Sequence, residues 1–140
     1  MMLRVGVDIL ELYRLKRVLG SWGESFLNRI YTQGEQEYCR SRVPQLAARF
    51  AAKEAVMKAL GTGIRGVGWR EIEVTRKRGQ APEILLHGRA LKKADELGVV
   101  QVALSLSHSN DYAIASVTSE EHTSELQSLV NLVCRLLLEK

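Results

Sequence analysis

Asp8 stands inside the apolar run VGVDIL, and Glu54 inside the helical run FAAKEAVMKALGTG. Both carboxylates occupy patterns that otherwise ask for burial. On a helical wheel with Phe50 as reference, Glu54 falls about 40° to one side, while Met57 and Leu46 fall about 20° and 40° to the other. That spacing places Glu54 in an apolar stripe. A buried carboxylate without a partner costs several kcal/mol (roughly), so such groups are paired, hydrogen-bonded or bound to a metal. Lys58 follows Glu54 at the favourable i,i+4 spacing. Taken alone, that pair reads as an ordinary surface ion pair; beside the apolar stripe and just before GTGIRGVG it reads as part of a site. Gly61 and Gly63 in that segment permit positive φ and close approach of a phosphate or a narrow thiol-bearing arm. It is not a P-loop, because a Walker lysine follows its glycines and opens a helix, whereas Lys58 precedes them.

Asp8 and Glu54 belong to segments far apart in sequence, so the fold must join them. Residues 3–10 read as a strand, followed by short helices over 11–18, 24–31 and 32–42. Thr32 and Glu35 form a capping-box pattern at the start of the last. Pro44 suits the first turn of a helix running to Leu60, with Gly61 as its stop. Strands are expected near 69–76 and 82–87, a helix over 88–97, and strands near 99–107 and 112–117. Ser109, Asn110 and Asp111 would turn the last two into an antiparallel hairpin. Helices first and adjacent strands later give an α+β fold, not a doubly wound sheet.

The 140 residues fit one domain, and a hydrophobic share of 46% with 26% charged residues is ordinary for a globular protein. No apolar run reaches the roughly 18–20 residues of a membrane span. The N-terminus lacks a signal-peptide pattern, so a cytoplasmic location is expected, with no membrane partner. Two cysteines, Cys39 and Cys134, provide neither a disulfide framework nor a zinc cluster. The net charge is +4, rising to +6 for residues 1–118. A basic surface favours a polyanionic partner. With no RNP pattern, no zinc-finger spacing and 6% aromatic residues, nucleic acid is not the expected one.

From Ser119 the character of the chain changes. SEEHTSELQS matches a translated sequencing adapter, so residues 119–140 read as a non-native tail and 1–118 as the working domain. The other reading of the tail is an amphipathic helix presenting Leu126, Val130, Val133 and Leu137. His122 and Cys134 belong to this tail and not to the working domain.

Three blocks in order, GVDILEL, FAAKEAVMKALGTGI and VALSLSHSNDYAIA, resemble the holo-acyl-carrier-protein synthases, the small 4′-phosphopantetheinyl transferases. FLNRIYTQGEQEYC, WREIEV and GQAPEILLHGRA extend the likeness, which covers residues 3–117. The resemblance implies an α+β phosphopantetheinyl transferase fold, an antiparallel sheet packed on a long helix, assembled as a homotrimer with sites between subunits. It implies transfer of the 4′-phosphopantetheine arm of coenzyme A to a serine of apo acyl carrier protein, in fatty acid biosynthesis, with release of adenosine 3′,5′-bisphosphate. Asp8 and Glu54 would then hold Mg²⁺, or Mn²⁺, against the coenzyme A pyrophosphate. Lys58 would stabilise developing charge, and Gly61, Gly63 and His108 would line the nucleotide site. For His108 the plain reading is a structural hydrogen-bonder. Glu54 and a metal-bound water are both candidates for deprotonating the serine. Arg14 and Arg17 match the position that meets the acidic carrier protein, although Ser21 and Trp22 stand where relatives often continue with basic residues. The rival reading is a non-enzymatic basic module that uses Arg14, Arg17 and Arg76–Arg78 to bind an acidic protein or nucleic acid.

Overall fold

The computed structural model describes residues 2–121. β1 (Met2–Glu11) opens the chain and leads into α1 (Leu12–Trp22), α2 (Glu24–Ile30), α3 (Gln33–Cys39) and α4 (Val43–Leu60). A short α5 (Gly63–Gly66) precedes β2 (Ile72–Thr75) and β3 (Glu83–Leu86), and α6 (Gly88–Leu97) precedes β4 (Val99–His108) and β5 (Tyr112–Glu121). β1, β5 and β4 form an antiparallel sheet in that order, while β2 and β3 form a separate hairpin. The fold is α+β, as the pattern of elements implies.

Small residues decide how closely the sheet meets α4. The helix carries six alanines between positions 47 and 59, and the inward face of β5 presents Ala113, Ala115 and Val117, all fully buried. On β1 the facing residue is Gly6. A Cβ built there would lie 1.9 Å from the Ala55 carbonyl oxygen and 3.1 Å from the Ala59 nitrogen. Backbone therefore packs on backbone at this point, and no side chain larger than hydrogen fits. Since strand side chains alternate in direction, Asp8 shares the helix-facing side with Gly6.

Several local expectations need correction. The stretch Trp69–Glu71 is a 3₁₀ turn, and the strand begins only at Ile72. The first helix continues through Ser21 to Trp22 and ends at Gly23, whose φ is +52°. β5 runs three residues past the boundary expected at 118: Ser119 and Glu121 are buried, and Arg4 Nε donates to Glu121 Oε2 at 3.1 Å. The rest of the tail, with His122, Cys134 and its apolar positions, lies outside the described residues.

The apolar stripe assigned to α4 is also revised. Elements pack around most of the helix, so Ala51, Ala52, Lys53, Ala55, Val56 and Met57 are all buried. Phe50, Glu54 and Lys58 form its most open line, and Glu54 is half-buried. The fully buried charge is its neighbour, Lys53. Its ammonium donates to Glu35 Oε1 at 2.7 Å, to the Trp69 carbonyl at 3.0 Å and to the Ile72 carbonyl. Glu35 also completes the expected capping box with Thr32 and accepts the Val74 N–H at 2.9 Å. One ion pair thus ties α3, α4 and β2 together.

Candidate active site

The close contact of β1 with α4 brings Asp8 to the last turns of the helix. The Asp8 and Glu54 carboxyl groups are near enough to act on each other, joining residues 46 positions apart. Burial, then the hydrogen bond and the charge of Asp8, push the Glu54 carboxyl up to about 7, against the opposing pull of Lys58 and Arg14. Two such groups cannot both ionise cheaply at this range, so they hold a proton between them or need a cation.

A cation is present in the form of Lys58. Its Nζ lies 3.0 Å from Asp8 Oδ1 and donates to the Val7 carbonyl at 3.1 Å. The Lys58 side chain is 57% exposed, whereas that of Asp8 is only 12% exposed. The site thus has a sheltered carboxylate and a solvent-exposed ammonium. The C-terminal end of α4 adds the partial negative charge of its free carbonyls, which favours cations at this end of the helix.

The donor set suits a hard divalent cation. Carboxylate oxygens are what Mg²⁺ prefers, and one or two of them plus water and substrate phosphates is its usual complement. The raised Glu54 carboxyl and the ammonium already on Asp8 are what an excess of negative charge produces, and a dication would relieve it. Among the described residues no group of three or more His, Cys, Asp or Glu could form an all-protein metal cage. Asp8 and Glu54 therefore fit a metal completed by substrate.

The glycine turn follows directly. Gly61 caps α4 in the left-handed region with φ +71°, and Gly63 has φ +61°. No atom lies within 4 Å of a Cβ built at either position. Backbone conformation, not close approach by the chain itself, is what requires glycine here, and the open side faces solvent. Farther on, Glu71 anchors the end of the segment. It accepts the Gly68 N–H at 2.7 Å and the Ala90 N–H at 3.2 Å, besides binding the Arg89 backbone and side chain. These bonds hold its carboxyl below the usual range although burial alone would raise it.

Arg14 reaches the cluster through its influence on Glu54. Arg17, one turn later, lies over the Tyr13 ring at 5.8 Å. The two arginines line a cleft with Val18, Ser21 and Trp22, and Trp22 is 69% exposed. α1 contains three basic residues and no acidic one. His108 is not in the cluster. It ends β4, pairing with Ala113, while Asp8 pairs with Ala115 from the other side of β5. That separation of two strands is about 10 Å by strand spacing. The structure thus brings Asp8, Glu54 and Lys58 together with Arg14 near enough to act on Glu54, sets the Gly61–Gly63 turn directly after Lys58 in the chain, puts Arg17 in one cleft with Arg14, and leaves His108 apart. Arg76–Arg78 begin the turn of the β2–β3 hairpin, where Arg76 Nε donates to the Gln80 carbonyl at 3.0 Å.

Sequence reasoning missed Gly6 and the Lys53–Glu35 pair. Gly6 left a signal, an isolated glycine inside a strand pattern, which marks close backbone approach. Lys53 left none, because its partners are set by tertiary packing.

Residues 4–117 match the sequence profile of the 4′-phosphopantetheinyl transferase superfamily. A holo-acyl-carrier-protein synthase from Gloeobacter violaceus is 47% identical over 119 residues, covering 82% of this chain and 90% of that relative. The synthase from Koribacter versatilis is also 47% identical, over 86% of this chain and the whole of the relative. Among solved structures, the Helicobacter pylori synthase in complex with coenzyme A superposes with a TM-score of 0.76 at 29% identity, covering 83% of this chain and 99% of that one. The Neisseria meningitidis synthase gives 0.76 at 41% identity, over 84% and 98% of the two chains.

Proposed function

Because the chain belongs to the 4′-phosphopantetheinyl transferase superfamily, we propose that it serves as a holo-acyl-carrier-protein synthase. It moves the 4′-phosphopantetheine arm of coenzyme A to a serine of apo acyl carrier protein, leaving adenosine 3′,5′-bisphosphate. The observation that carries the assignment to particular residues is the meeting of Asp8, Glu54 and Lys58 at the end of α4.

Asp8 and Glu54 would hold Mg²⁺, or Mn²⁺ in its place, and the bound ion would supply neutralisation of charge on the coenzyme A pyrophosphate. The serine oxygen attacks the β-phosphorus, and adenosine 3′,5′-bisphosphate leaves. Lys58, solvated and on a flexible stem, turns its ammonium to the same phosphates and offsets the charge that develops on them. Gly61 and Gly63 leave the backbone open on the side where the nucleotide lies. Arg14 and Arg17 attract the acidic carrier and orient its serine toward Asp8 and Glu54, which Arg14 already neighbours.

The assembly is a homotrimer, as the resemblance implies. The outer face of the sheet supports an association of this kind: Leu3, Val5, Val7 and Ile9 on β1 and Ile114 on β5 are 40–62% exposed. A continuous apolar face of this kind marks an interface between proteins. His108, two strands from its own Asp8, then serves the nucleotide site of a neighbouring copy. Mass in solution should give three chains, and a monomeric mass would contradict this.

The direct test of function incubates the chain with coenzyme A, Mg²⁺ and apo acyl carrier protein. The carrier should gain the mass of the phosphopantetheine arm, and chelation of the metal should stop the gain. An unchanged carrier in the complete mixture would overturn the assignment.

A further inference from the structure

The metal reading says what Asp8 and Glu54 hold when the enzyme works; the geometry also says what they hold beforehand. We propose that the ammonium of Lys58 is the resident cation of Asp8 in the free enzyme, and that a divalent cation enters between Asp8 and Glu54 only as Lys58 leaves Asp8. The inference rests on the metal reading of the site.

Three observations carry it. Lys58 Nζ occupies Asp8 Oδ1 at 3.0 Å, so one of the oxygens that a metal would need already accepts a hydrogen bond from an ammonium. The same ammonium covers the Val7 carbonyl at 3.1 Å, which fixes it over the β1 side of the pair. And Lys58 is the one of the three groups with freedom to move. Its side chain is 57% exposed, on a four-carbon stem, whereas that of Asp8 is 12% exposed, on a strand packed backbone to backbone against α4 at Gly6. A dication and an ammonium sharing one carboxylate oxygen repel each other, so the groups compete for Asp8 instead of adding.

Lys58 therefore acts in two opposed senses. It assists transfer by moving onto phosphate, yet weakens metal binding while no phosphate is present. Coenzyme A gives the displaced ammonium a new partner, so metal and substrate enter together more readily than the metal alone.

The test measures Mn²⁺ binding by electron paramagnetic resonance, without coenzyme A, on the full chain and on Lys58→Met, Lys58→Arg and Asp8→Asn. Lys58→Met keeps the apolar stem and removes the charge. It should bind Mn²⁺ about threefold or more tighter than the parent, on the scale of a partly exposed ion pair. Lys58→Arg should not show the gain, and Asp8→Asn should lose binding. A second readout uses the unaltered chain: saturating Mg²⁺ should speed modification of Lys58 by an amine reagent, because the freed ammonium is less shielded. If Asp8-dependent binding is seen but Lys58→Met is no tighter, or if Mg²⁺ leaves the Lys58 reactivity unchanged, this inference falls and the metal site stands. If none of the proteins binds Mn²⁺, or Asp8→Asn binds it as well as the parent, the metal reading falls and takes the inference with it.

Discussion

Replacing Gly6 with alanine tests how the fold places its chemistry. The added carbon would start 1.9 Å from the Ala55 carbonyl oxygen and 2.8 Å from its carbonyl carbon. An ordinary carbon–oxygen contact is above 3 Å, so β1 must retreat from α4 by roughly 1 Å or distort. Both contacting groups are helix backbone, which cannot swing aside as a side chain would. Overpacking of this kind costs about 1–3 kcal/mol, which for a chain of this size lowers the melting temperature by roughly 3–10 °C. Asp8 lies two residues along the same face of the same strand and moves with it. A displacement of about 1 Å at reacting groups can cost about a hundredfold in rate. Gly6→Ala should therefore lose far more activity than stability, with the chain still folded at 25 °C. Thermal melting by circular dichroism and carrier-protein transfer followed by mass spectrometry on the same sample would decide. An unchanged melting temperature with an unchanged rate would refute the argument that this contact sets the position of Asp8.

Two further perturbations address the other buried and titrating groups. Lys53→Met leaves Glu35 buried without its cation and should destabilise the chain by about 3–5 kcal/mol; denaturant unfolding measures this, and a loss below about 1 kcal/mol would mean that water or rearrangement replaces the ammonium. Glu54 supplies a pH dependence. Its folded carboxyl holds a proton up to about 7, against an ordinary value of 4.5. The folded state thus binds more protons than the unfolded one in that window, so stability is greatest below it and is lost as pH rises through it. In metal-free buffer the melting temperature of the parent relative to Glu54→Gln should be higher at pH 5 than at pH 8, and a gap that does not vary with pH would count against the raised carboxyl.

Much of the architecture is legible locally. Thr32 and Glu35 announce a helix start, Pro44 and Gly61 bracket α4, and Ser109–Asp111 fall where the last hairpin turns. These signals work because capping and turn chemistry act within a few residues. What packs around α4 is not local. The wheel assumes one wet face and one dry face, but a helix covered by the sheet, α3 and the β2–β3 hairpin has almost no wet face. The wheel therefore sets Glu54 in a dry stripe with Leu46, Phe50 and Met57, whereas Glu54 lies on the most open line of the helix and the fully buried charge is Lys53 next to it. The pairing of Asp8 with Glu54 is legible only through family resemblance, since nothing in either segment points to the other. Gly6 explains physically why they meet. His108 shows the converse: its block is recognisable, yet antiparallel register sets it two strands from the chain's own Asp8.

Asp8 acts on the phosphates and does not merely steady the strand. The decisive measurement is the rate of phosphopantetheine transfer by Asp8→Asn at saturating Mg²⁺ and coenzyme A, with its melting temperature taken alongside. Losing the metal's share of charge stabilisation, several kcal/mol, should slow transfer by about a hundredfold or more, while the asparagine, similar in shape, keeps the fold. Transfer by Asp8→Asn at the parental rate, with the fold intact, would show that Asp8 has no part in the chemistry.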